Sequence, residues 1–253
     1  MTDLLVFQLR RVLRNWQFVL FSVLLPAAFT VFFTQVFGGQ AAGGTAQDRA
    51  DFQRYATDYM VSMMAYGAIG AALGATVRLA FDRHSGWLRQ LRVTPVPTAR
   101  IVGVDIAVGM LLALPSVLVV ALVGRFVNGV QLPLGTWVVL VGVMWAGAAP
   151  FVALGLLLGL ALDEQAAGAA IGILGVVLAA LGGLWFPAEL FPPVLRSVAH
   201  LLPSYWYGEL GRGAAADGVP GAGAVLLLAA AAVLFAALAG LVSRRRPLFA
   251  VSG

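Results

Sequence analysis

DRHSGWLRQLRVTPVP, residues 82–97, places three arginines in the middle of a chain that is otherwise apolar. On either side lies an apolar run, 58–80 before it and 101–123 after it. Each is long enough to cross a bilayer, which takes about 20 residues of helix. A basic loop held between two spanning runs defines a polytopic helical membrane protein. It also marks the face of the membrane on which it sits.

The composition extends that reading to the whole chain. Hydrophobic residues make up 61% and charged residues 11% of the 253. Soluble domains run closer to roughly half apolar and a quarter charged. Further spanning runs lie at 17–37, 136–162, 166–184 and 224–242, giving six in all. Pro26 and Pro115 fall inside spans, where a proline kinks a helix. The linkers are a polar loop at 38–57, the basic loop at 81–100, a turn at 124–135 containing Asn128-Gly129, a tight link at Asp163-Glu164-Gln165, and a long loop at 185–223. The expected fold is all-α, one transmembrane domain over 1–253. No length remains for a soluble catalytic domain.

Before the first span, Leu5, Leu9, Val12, Leu13 and Trp16 fall on one helical face, with Arg10, Arg11 and Arg14 off it. This pattern predicts a helix lying in the membrane surface. The alternative is a signal peptide, but the apolar run that follows exceeds the ~7–15 residues of a signal core. Arginine placement orients the chain. With the N-terminus inside, the cytoplasmic side holds Arg10, Arg11, Arg14, Arg78, Arg83, Arg89, Arg92, Arg100 and Arg244 to Arg246. The outer side holds Arg49, Arg54, Arg125, Arg196 and Arg212. Both termini are then cytoplasmic, in a cell membrane.

Several chemistries are excluded. All 16 basic residues are arginine, so the lysine that a Walker phosphate loop needs is missing, and Schiff-base chemistry with it. There is no cysteine, hence no thiolate metal site or disulfide. His84 and His200 fall in loops on opposite sides and make no metal site. Ion-coupled transporters place ionisable groups near the membrane centre. Here Arg78, Asp105, Asp163 and Glu164 lie near inner ends of spans and Asp58 at an outer end. The energy source is therefore expected outside this chain. Gly70/Gly74, Gly155/Gly159 and Gly168/Gly172 recur at four-residue spacing, which suits close helix packing.

In the basic loop, Trp87, Leu88 and Leu91 share a helical face, and Thr94-Pro95 and Pro97 end it. This is either an interfacial loop obeying the positive-inside rule or a short helix that docks on a cytoplasmic ATPase. The pattern Asp82-Arg83-x-x-Gly86-x-Leu88-x-x-Leu91-x-x-Thr94-Pro95 resembles the loop between spans 2 and 3 of type-2 ATP-binding-cassette (ABC) exporter permeases. His84-Ser85 and Trp87 depart from the usual pattern. A second match is Gly182-Gly183-Leu184-Trp185-Phe186-Pro187 with Phe191-Pro192, then Pro203-x-Tyr205. It is similar to the family's signature before its last span.

The resemblance implies that residues 185–223 form re-entrant helices from the outer face, carrying Gly183, Phe186, Pro187, Pro192, Pro203 and Tyr205. Prolines 187, 192, 193 and 203 also chop this apolar segment into short pieces, which fits re-entry or a lid lying on the surface. The resemblance further implies a drug-, antibiotic- or lipid-exporting permease of two face-to-face subunits, with two separate ATPase subunits that carry ATP-Mg. It implies docking through Asp82, Arg83, Gly86, Trp87, Leu88, Leu91, Thr94, Pro95 and the Arg10–Arg14 helix. No cofactor or catalytic residue is expected in this chain. Phe29, Phe33, Met60, Met63 and Met64 are candidates for an adaptable pathway lining, or for lipid contact. A secondary transporter or channel without an ATPase, and a membrane assembly factor, are the competing classes.

Overall fold

The computed structural model describes residues 20–38, 45–76 and 98–245, together with Arg14 and Ala80. Everything regular among the described residues is helical. Apolar surroundings offer backbone groups no water, so each segment satisfies its own N–H and C=O groups. A π-helical turn, Leu20–Leu24, leads into α1, Leu25–Gly38. Then come α2, Ala46–Thr76; α3, Thr98–Phe126; α4, Leu134–Ala146; α5, Ala149–Ala161; and α6, Glu164–Leu181. A 3-10 turn at Ala188–Leu190 precedes α7, Pro193–Leu201; α8, Pro203–Asp217; and α9, Ala222–Arg245.

Five of the described segments are long and apolar enough to cross a membrane: Ala46–Thr76, Val102–Phe126, Leu134–Ala161, Glu164–Leu181 and Ala222–Arg244. The apolar helix at Leu20–Val36 is shorter. α2 is the axis of the bundle. In its apolar window 83% of residues are buried, against 17% in α6 and 11% in α9. Its most extensive contact is with α3, and α1, α5 and α8 complete its surround. Met60, Met63, Met64, Ile69 and Leu73 form the centre of one continuous core. α9 packs on α5 and α8, at the periphery.

Two boundaries differ from the sequence expectation. The polar stretch expected as a loop to residue 57 is helical from Ala46. Thr45 and Asp48 form a reciprocal cap: the Thr45 N–H donates to Asp48 Oδ2 at 2.6 Å, and the Asp48 N–H donates to Thr45 Oγ1 at 3.3 Å. At 31 residues and ~1.5 Å per residue, α2 outreaches the ~30 Å hydrocarbon core. The polar first turns therefore project beyond it. The expected fourth span, 136–162, is two helices broken at Gly147-Ala148. Residues 185–223, expected as short helical pieces cut by prolines, hold α7 and α8. The tight link at 163–165 is present, with Asp163 capping α6 by accepting from the Ala166 N–H at 2.8 Å.

Pro26 shapes the packing through the carbonyl it leaves over. Pro26 cannot donate to the Ser22 carbonyl one turn back. That carbonyl instead accepts from the Ser116 hydroxyl on α3, at 2.6 Å. Gly67 of α2 sits against the same point, where a Cβ would lie 2.9 Å from the Ser22 oxygen and overlap Ser116 Oγ. Near the other end of α1, buried Asn128 donates to the Thr30 carbonyl at 2.9 Å and to Thr34 Oγ1 at 3.0 Å. These side chains tie α1 to α3 without a charge in the interior.

Candidate functional site

The loop proposed to dock an ATPase, Asp82, Arg83, Gly86, Trp87, Leu88, Leu91, Thr94 and Pro95, lies outside the described residues. So do Arg10 and Arg11 of the N-terminal segment. Arg14 is exposed, in a turn.

The segment after α6 is described throughout, and its two helices differ. α7 is a short surface helix, with Val194 and Leu201 exposed. α8 is packed against α4, α2 and α9. Pro192 caps α7, and Pro203 opens α8 at its first helical position, where a missing N–H costs nothing. Tyr205, in the first turn of α8, lies against His200 and Trp206, with ring centroids 4.6 and 5.3 Å apart. Phe186 is exposed.

α8 reaches the interior through Tyr207, which is fully buried. At the break after α4, the Ala148 N–H bonds to the Trp145 carbonyl rather than to Met144. The Met144 carbonyl accepts from the Tyr207 hydroxyl instead. Gly147 allows this approach: a Cβ there would lie 2.7 Å from Tyr207 Cε2 and 2.8 Å from Leu210 Cδ2. The sequence reading missed Tyr207, although the run Gly147-Ala148-Ala149-Pro150 signals a break.

The candidate lining residues fall into two groups. Phe29 and Phe33 are half-buried on α1; Phe33 lies over Tyr59 with ring centroids 5.2 Å apart. Met60, Met63 and Met64 are fully enclosed by this chain's own helices. Of the spaced glycines, Gly155 is at a close approach, where a Cβ would overlap Thr76 Oγ1 and lie 3.1 Å from the Leu73 backbone. Gly70, Gly168 and Gly172 meet nothing within 4 Å.

At the end of the bundle where α2 begins, a cavity of about 170 Å³ lies between α2, α8 and the turn after α6. Gly183, at φ +75°, makes that turn, and its missing Cβ leaves room for Ala188 folded back over it. Pro187 and Glu189 on the returning strand of chain close one side. Asp58, Tyr59 and Ser62 come from α2, Trp185 from the turn and Arg212 from α8. Arg212 is engaged: Nε and Nη2 donate to Glu209 Oε1 at 3.0 and 2.8 Å, and Nη1 donates to Ser62 Oγ at 3.2 Å. The charges that act on Asp58 are those of Arg212, Glu209 and Glu189. Tyr59 is 6% exposed, and its hydroxyl has no partner among the described residues. Trp185 Nε1 has none either. Among the described residues no group of three or more His, Cys, Asp and Glu is arranged to hold a metal ion.

A helical bundle with five segments long and apolar enough to span defines the class of multi-pass membrane proteins. Residues 3–215 match the family described as ABC-2 type transporter. The chain is 31% identical over 246 residues to a Bacillus subtilis (strain 168) protein named "Putative transport permease YvfS", covering 94% of this chain and 95% of that one. The chain belongs to the ABC-2 type transporter permease family. Membership implies a membrane subunit working with an ATP-binding partner subunit.

Proposed function

We infer that this chain is the passive transmembrane half of an ABC exporter, moving a hydrophobic or amphipathic substrate outward. The observation that carries the reading is the family match combined with long stretches of each span that carry no charged side chain. No Asp, Glu, Lys, Arg or His occurs in 59–76, 106–124, 134–162, 165–188 or 218–243. The one charged pair on α8, Glu209 and Arg212, neutralises itself. Nothing in these spans would bind and release a coupling ion by side-chain charge, so the driving force is external.

In this reading six spans cross the cell membrane with both termini inside. The 82–95 loop and the Arg10–Arg14 helix rest on the ATPases, and α7 and α8 form the re-entrant pair. Two copies face each other. α6 supports this arrangement, since Gly168, Gly172 and Gly175 are open and Ile173 and Val176 are exposed. Phe29 and Phe33 would face the path at rest. Met60, Met63 and Met64 would join it only when α1 and α2 separate, and methionine suits a lining that must repack. Drugs, antibiotics and lipids are the expected substrate classes.

The test is co-purification with the ATPase subunit, and outward transport in vesicles, for Leu88→Asp and Leu91→Asp. Both variants should lose the complex and transport together while keeping native helix content. Unchanged complex and transport would remove the docking role. Uptake by the lone subunit driven by an ion gradient would remove the ABC reading altogether.

A further inference from the structure

The cavity at the α2–α8 end differs from the rest of the molecule. The spans offer apolar contact; this pocket offers carboxylates, aromatic faces and two polar atoms without partners. Asp58, Glu189 and Arg212 line it, and Glu209 behind them holds Arg212, which is also bonded to Ser62. Of the nearby cations, Arg54 lies 3.9 Å from Asp51, while Arg196 donates to the Glu189 and Phe191 main-chain carbonyls and keeps its charge beside Glu189. The three carboxylates still outnumber the two guanidiniums, Arg212 and Arg196, by one.

The buried Tyr59 hydroxyl is the second, independent sign that something belongs here. An unpaired buried polar group costs about 1–3 kcal/mol, and such a cost is common where a ligand completes the site. Trp185 stands as a wall, its ring fixed edge-on to Tyr66 at 5.7 Å. An aromatic face beside carboxylates attracts an organic cation. A hard metal ion would demand six or more converging oxygens, and that set is not assembled. An anion would need Arg212 free, and it is held.

Size narrows the ligand further. Drug-sized ligands occupy roughly 300–1,000 Å³, whereas an apolar cavity of about 150 Å³ takes a benzene. At about 170 Å³ this pocket admits a headgroup and leaves the remainder of the molecule outside. We propose that the cavity bounded by Asp58, Tyr59, Trp185 and Glu189 is a subsite for the ammonium headgroup of an amphipathic amine. The ammonium donates to Asp58, Glu189 and the Tyr59 oxygen. The Trp185 N–H is left for an oxygen carried beside the nitrogen. This site deepens the exporter reading by giving its substrate a charge, but binding to it requires no ATPase.

The experiment uses the full-length chain in nanodiscs of neutral phosphatidylcholine. Dodecylamine is the probe; dodecan-1-ol and dodecanoate are the controls; binding is read by calorimetry and tryptophan fluorescence. Asp58→Asn and Glu189→Gln should each weaken dodecylamine binding at least tenfold and leave the controls unchanged. Tyr59→Phe should weaken it a few-fold. Asp217→Asn, an exposed carboxylate outside the pocket, should have no effect. Glu189 is exposed, so its variant carries the test should Asp58→Asn fail to fold. Binding within twofold of the parent in Glu189→Gln, or dodecanoate competing as well as the amine, overturns the proposal. Ion-gradient-driven uptake by the lone subunit, with amine binding intact, would defeat the exporter reading and leave this site standing.

Discussion

Replacing Tyr207 with phenylalanine removes one oxygen and nothing else from the join between α4 and α5. The ring keeps its place beside Phe151, with centroids 5.4 Å apart, and against Gly147. What changes is the Met144 carbonyl, whose helical donor has moved to Trp145. Leaving a buried acceptor unpaired costs about 1–3 kcal/mol. Hydrogen bonds between membrane helices measure less, roughly 0.6 kcal/mol on average and up to ~1.7, because unfolded helices in the bilayer find other partners. Here the carbonyl sits in a break that no neighbouring N–H fills, so the cost should fall in the upper part of that range, about 1–1.7 kcal/mol. Tyr207→Ala should add the loss of a large buried ring, for a total of about 3–5 kcal/mol. The assay is reversible unfolding by SDS titration in mixed micelles, followed by far-UV circular dichroism. Tyr205→Phe, on the same helix but half-exposed, is the control and should change little. A Tyr207→Phe variant as stable as the parent would refute the claim that this hydroxyl closes the broken helix.

Glycine positions separate contacts within the chain from surfaces left open. Gly155→Leu drives a side chain into Thr76 and the α2 backbone and should cost about 1–3 kcal/mol or more in the same titration; Gly172→Leu should leave the isolated subunit's stability unchanged and, if two copies pair through α6, lower the dimer fraction measured by light scattering. Thr45→Ala removes one half of the α2 cap and should cost about 0.5–2 kcal/mol, read as faster amide exchange confined to the first turns of α2.

The helical class and most spans were legible because a 3.6-residue backbone in an apolar medium has few alternatives. The start of α2 was not, since Gln47, Asp48 and Asp51 read as loop on polarity alone. The Thr45-x-x-Asp48 cap was present in the sequence and outweighs that polarity. The break at Gly147 was hidden by an apolar run that never changes composition across it. Glycine spacing correctly marked Gly155, yet Gly168 and Gly172 at the same spacing touch nothing, because spacing states which residues share a face and not what the face meets. The cavity was illegible for a related reason. Arg212 and Ser62 are 150 residues apart in sequence, and only the docking of α8 beside α2 brings them together.

A continuous rod carries an axial load from one end to the other. The fourth hydrophobic segment is two half-length rods, joined where no hydrogen bond runs straight through. A push at Leu162 would be deflected sideways at the joint onto what braces it, α8 through Tyr207 and Leu210. Displacement at that end would thereby become lateral strain on the helix that walls the cavity at the other.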